Sequence, residues 1–95
     1  MGNHSCNQTK LTEEIINLSV SKYWHEAKLE WTLDSIYQAE AHEPETCLCG
    51  HFPIIEVCII VNTKNGNEAI VGNVCVKKFL GLPSDSMFRA LKRVK

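Results

Sequence analysis

Ninety-five residues, 44% of them hydrophobic, with a formal net charge of −1, make one small domain with a modest core. No run of 18 apolar residues occurs, which excludes a membrane-spanning helix. Five cysteines are an odd number that cannot all pair within one chain. Residues 1–20 carry Lys10, Glu13 and Glu14 and lack the apolar run of a secretory signal, so a cytoplasmic location with reduced thiols is expected. Clustered cysteines there point to metal or redox chemistry rather than to structural disulfides. A chain this short commonly needs a staple, and a metal is one.

The charge is unevenly spread. Residues 1–46 set Lys10, Lys22 and Lys28 against eight acids, a local balance of −5. Residues 76–95 set six bases against Asp85, a balance of +5. The basic end suits phosphate, or the chain's own acidic end, or plain solvation.

Residues 1–9 are polar and read as a flexible N-terminus. Residues 10–42 read as an acidic segment of helix and strand, and residues 43–95 as a zinc-binding hairpin–helix module, all within one compact domain. In KLTEEIINLSV (10–20) Leu11, Ile15 and Leu18 recur at helical spacing, with Glu13 and Glu14 near the positive helix end. Ser21 can cap a second helix over 22–31, where Trp24, Ala27 and Trp31 share a face at i, i+3 and i+7. That face reads as core. TLDSIYQAE (32–40) roughly alternates and predicts a strand.

The stretch ETCLCGHF (45–52) places Cys47, Cys49 and His51 at a period of two, so an extended segment projects all three to one side. IIEVCIIVN (54–62) is rich in β-branched residues and predicts a strand, with Ile55, Val57, Ile59 and Val61 on one face and Glu56 and Cys58 on the other. Asn65-Gly66 is a strong hairpin signal, and AIVG (69–72) is the return strand. A two-residue turn sets Cys75 opposite Glu56; a three-residue loop with a bulge sets it opposite Ile55. Either register returns Cys75 to the base of the hairpin, beside Cys47–His51. A short knuckle, a hairpin and a ligand at the start of a helix follow the logic of zinc ribbons and treble clefs. Gly50 and Gly72 suit the tight backbone beside each ligand segment.

The fourth ligand is expected from His51, with His42 as the alternative. Cys58 reads as a small buried residue and Cys6 as a free thiol in the N-terminal segment. A redox Cys-x-Cys pair would leave Cys75 at the hairpin base without a purpose. A zinc deaminase needs H-x-E and a later P-C-x-x-C, and neither is present. No general base, nucleophile pair or open metal position emerges, so no catalysis and no small-molecule substrate are expected.

The strings CLCGHFPII, then V-N with a downstream glycine, then VGNVCVKKFLG resemble a group of small zinc-ribbon-like proteins of bacteria and their phages. The resemblance covers roughly residues 43–95. It implies that Cys47, Cys49, Cys75 and His51 hold zinc. The knuckle is one residue shorter than the commoner C-x-x-C, and the helix carries one cysteine rather than a pair.

In GLPSDSMFRALKRVK, Ser84 after Pro83 is a good N-cap with Asp85 in the first turn. Met87, Leu91 and Val94 fall on one face, and Arg89, Lys92 and Arg93 lie opposite. The fold expected is α+β, a zinc-stabilised hairpin with a knuckle and flanking helices. The function expected is macromolecular binding, with nucleic acid met through Lys77, Lys78, Arg89, Lys92 and Arg93. The alternative is a protein-binding adaptor or inhibitor, of phage or mobile-element type, anchored by Tyr23, Trp24 and Trp31.

Overall fold

The computed structural model describes residues 7–94, with side chains as far as Leu91. Helix α1, Gln8–Leu18, starts where the Asn7 side chain accepts the Lys10 amide at 3.2 Å. Its Leu11 and Ile15 are fully buried. Ser19 closes it: the hydroxyl donates to the Ile15 carbonyl at 2.6 Å and accepts from Trp31 Nε1 at 2.8 Å.

The second helix is much shorter than periodicity predicts. Helix α2 is one turn, Trp24–Ala27, continued by a 3₁₀ turn, Lys28–Glu30. Trp31 already opens strand β1, Trp31–Gln38. Glu30 accounts for the break. Its carboxylate accepts the Val20 and Ser21 amides and Asn62 Nδ2, each at 2.8 Å. Its carbonyl accepts the Thr63 amide and hydroxyl. Tertiary bonds thus pull residue 30 out of the helix and hand Trp31 to the sheet. Trp31 is 4% exposed and belongs to the core, whereas Trp24 is half-buried, with Lys28 Nζ 5.9 Å from its ring centre.

Strands β2, Glu56–Asn62, and β3, Glu68–Gly72, complete a three-stranded antiparallel sheet in the order β1-β2-β3. The fold is α+β, as expected. The hairpin register differs from both anticipated ones. Val57 pairs with Gly72 and Val61 with Glu68, so the loop spans residues 63–66. Asn62 causes the longer loop: its Oδ1 accepts the Lys64 and Asn65 amides, and its carbonyl accepts Gly66 N–H at 2.9 Å. Gly66 alone takes positive φ, so the turn with two left-handed residues is not formed. Cys75 still lands at the hairpin base, one or two residues from the expected register.

The face of Cys58 and Ile60, rather than that of Ile55, carries the core. Cys58 pairs with Ile36 and Val71, and Ile60 with Leu33 and Ala69. These residues form one cluster with Leu11, Ile15, Trp31, Val76, Leu80 and Phe88.

Beyond β3, helix α3, Asn73–Cys75, runs into a π-helical turn, Val76–Leu80, and stops at Gly81 with φ +67°. Helix α4, Ser84–Val94, then crosses β1. It packs by Phe88, 2% exposed, and Leu91, while Met87 is 38% exposed. The packing face is therefore rotated from the expected Met87–Leu91–Val94 row. Ser84 sets the rotation. It is fully buried, bonded to Asn73 Oδ1, and places Phe88 one turn further in the core. Val94's side chain lies outside the described residues. Among the described residues no helix is long and apolar enough to cross a membrane.

Candidate metal centre

The knuckle is a small hairpin of its own. Glu45 and Ile54 exchange backbone bonds at 3.0 and 2.9 Å, closing its base. Inside it, Cys47 N–H donates to the His51 carbonyl at 2.9 Å and Gly50 N–H to the Cys47 carbonyl at 2.8 Å. Gly50 sits at φ +94°, a conformation that few other residues accept. Tyr37 Oη donates to Glu45 Oε2 at 3.0 Å, and Leu48 N–H to the Ile70 carbonyl at 2.9 Å. The knuckle is thereby fixed to β1 on one side and to β3 on the other.

Three sulfurs converge where this knuckle meets α3. Cys75 Sγ lies 3.6 Å from Cys47 Sγ and 3.6 Å from Cys49 Sγ. The three ligand atoms fall within 4.8 Å of one another, and all three residues are buried. Cys47, Cys49 and Cys75 are close enough to hold a metal ion. In a tetrahedral site with metal–sulfur bonds of about 2.3 Å, neighbouring sulfurs stand about 3.8 Å apart. The observed spacing fits that edge.

The surroundings suit a thiolate only with a cation beside it. Gly72 N–H donates to Cys47 Sγ at 3.2 Å. Burial pushes the Cys47 thiol up to about 11, partly offset by the Gly72 and Cys49 amides. Such a sulfur is poor as a bare anion and needs a cation beside it. Cys47, Cys49 and Cys58 are free thiols, while Cys75 is disulfide-bonded, so metal binding by all three clustered sulfurs requires reduction first.

His51 shares the turn but falls outside the set of mutually close donors. It is half-buried, and its backbone carbonyl, rather than its ring, holds Cys47. With Glu56, Asn73 and Val74 it lines a cleft of about 240 Å³ beside Cys47 and Cys75. His42 is exposed and also outside the set. Cys58 is wholly buried on the core face, pushed up to about 11 by burial, and stands apart from the cluster.

Asn73 was not legible as a site residue, yet it positions Cys75. Its Nδ2 donates to Glu56 Oε1 at 3.0 Å and Asp85 Oδ1 at 3.3 Å, while its Oδ1 accepts from Ser84. One side chain thus ties α3 to β2 and α4. No periodic pattern marks it; the only signal is a polar residue between a glycine and a cysteine.

The basic residues are partly dispersed. Lys77, Lys78 and Arg89 are exposed. Lys77 Nζ lies 3.5 Å from Asp85, whose carboxyl is held below its usual range by Asn73, with Lys77 and Arg89 adding to the effect. The side chains of Lys92 and Arg93 lie outside the described residues.

No family model, curated protein or solved structure matches this chain.

Proposed function

We propose that this chain is a non-catalytic zinc module of treble-clef type that binds a macromolecule, with nucleic acid as the favoured partner. The sulfur triangle of Cys47, Cys49 and Cys75 carries the zinc assignment. Thiolates at a tetrahedral edge, one of them accepting a backbone N–H, suit Zn²⁺ in a closed structural site. The order of knuckle, hairpin and short helix supports the treble-clef reading.

The exposed cations Lys77 and Lys78 follow Cys75 closely, just after Val76, and Arg89 stands on α4. They supply a phosphate-facing surface close to the metal. The test is an oligonucleotide titration of the reduced, zinc-loaded protein at about 50 mM salt, where phosphate contacts are strongest. Saturable binding that weakens as salt rises supports the reading; no binding at low salt counts against it.

A second reading, a protein-binding adaptor, rests on the exposed side chains Val20, Tyr23 and Leu29, the last two 74% and 78% exposed. Trp31 is withdrawn from that anchor set because it is buried and bonded to Ser19.

A further inference from the structure

We propose that the sulfur cluster is a redox-gated metal site, in which Cys49 closes a disulfide onto Cys75 and the metal is released. The inference rests on the metal reading above and adds the regulation of that centre. Cys75 is the sulfur shared by both close pairs, 3.6 Å from Cys47 Sγ and 3.6 Å from Cys49 Sγ. The structure holds Cys75 in a disulfide, while Cys47 and Cys49 are thiols. A sulfur in a disulfide has no thiolate charge to offer a metal. Oxidation at Cys75 therefore removes one corner of the site, and a bridge between two members of the cluster removes two.

Cys49 is the better placed of the two neighbours. Cys47 Sγ accepts the Gly72 N–H at 3.2 Å and the Cys49 N–H as well. The Cys47 backbone is tied too, its N–H to the His51 carbonyl and its carbonyl to the Gly50 N–H. These bonds hold Cys47 where it is. Cys49 sits inside the turn that they close, next to Gly50 at φ +94°, with its sulfur against Cys75. A bridge needs the two sulfurs to close from 3.6 Å to about 2.05 Å, a movement within reach of a change in side-chain torsions. The cleft of about 240 Å³, which Cys75 helps to line, gives a small oxidant a route to that sulfur.

The co-reactant is a peroxide. The Cys75 thiolate attacks one peroxide oxygen, the O–O bond breaks, and Cys75 becomes a sulfenic acid as hydroxide leaves. The Cys49 thiolate then attacks Cys75 Sγ, the S–O bond breaks, and a second hydroxide leaves. Two electrons pass from the two sulfurs to the peroxide, and two protons from solvent turn both hydroxides into water. Zinc takes no part in the electron transfer and departs as Zn²⁺. The disulfide already at Cys75 reaches the same end by exchange: the Cys49 thiolate attacks Cys75 Sγ, the existing S–S bond breaks, and its other sulfur leaves as a thiolate.

The test uses the unaltered chain, reduced and loaded with zinc, then treated with hydrogen peroxide. A chromogenic chelator reads zinc release. The remaining thiols are alkylated, and the bridges are mapped by fragmentation in the mass spectrometer. The expected result is one zinc released for each peroxide consumed, with the loss of two thiols. The bridge should join Cys49 to Cys75, with Cys47 alkylated, and a dithiol reductant should restore zinc binding. Zinc retained in excess peroxide overturns the switch, as does a bridge from Cys75 to any other cysteine. Zinc lost only with sulfinic or sulfonic acids, which the reductant does not reverse, also overturns it. These outcomes leave the metal centre standing. Failure of the reduced chain to bind zinc at all overturns the metal reading itself.

Discussion

Gly72 and Cys47 meet backbone to sulfur: the Gly72 amide donates to Cys47 Sγ at 3.2 Å, and a Cβ on residue 72 would stand 3.8 Å from that sulfur and 3.2 Å from Ile54 Cγ2. Gly72 has φ −69°, so the backbone would tolerate alanine, and the crowding against Ile54 decides the outcome. Ile54 is only half-buried and can yield a few tenths of an ångström. Gly72→Ala is therefore expected to retain metal while losing about 1 kcal/mol, the low end for overpacking. A denaturant midpoint together with metal stoichiometry checks both halves.

Helix α4 offers a contrast between neighbours. Phe88→Ala should cost about 3–5 kcal/mol, as for a fully buried aromatic. Met87→Ala should cost less than about 1 kcal/mol, because Met87 already meets water. Equal losses in thermal or denaturant unfolding would contradict the packing face described.

These two positions also show what the sequence reveals. Spacing in ETCLCGHF and the Asn65-Gly66 turn locates Cys47, Cys49 and Cys75 at one place, because a hairpin returns the chain whatever its loop length. Loop length itself is set by Asn62, whose side-chain bonds no hydrophobic pattern records. The rotation of α4 comes from Ser84 and Asn73, and the short α2 from Glu30. In each case a buried polar residue bonded to a distant segment overrides local periodicity. His51 is nearest in sequence to the two knuckle cysteines; the knuckle uses its carbonyl, and its ring lies outside the set of mutually close sulfurs.

Glu30 should make the fold acid-sensitive. Burial raises its carboxyl, but bonds from Asn62, Val20 and Ser21 and the charge of Lys64 outweigh burial and hold it below its usual 4.5. A folded-state value below the unfolded one contributes stability that is complete above about pH 4.5 and lost as pH falls through the folded value. Glu30→Gln should lower stability at neutral pH and lose less on acidification. The check is unfolding of both proteins across pH 3 to 7, with zinc occupancy followed separately so that protonation of ligands is not mistaken for that of Glu30.

The nucleic-acid reading sets a salt signature. Replacing Lys77, Lys78 and Arg89 with alanine should flatten the log–log salt slope by roughly 0.7 to 0.9 for each phosphate contact removed. Lys77 should contribute least, because Asp85 already pairs with it. Metal content should not change. A slope unaltered by all three changes would shift the partner to protein and the surface to Tyr23 and Leu29.

The most direct test of the account is zinc X-ray absorption on the reduced protein, with metal content measured on the same sample. The account predicts one zinc per chain, sulfur neighbours at about 2.3 Å, and loss of the fold when a chelator removes the ion. Cys75→Ser should abolish binding, while Cys58→Ala should keep one zinc per chain. A reduced, metal-free protein that stays fully folded, or a zinc without sulfur neighbours, would contradict it.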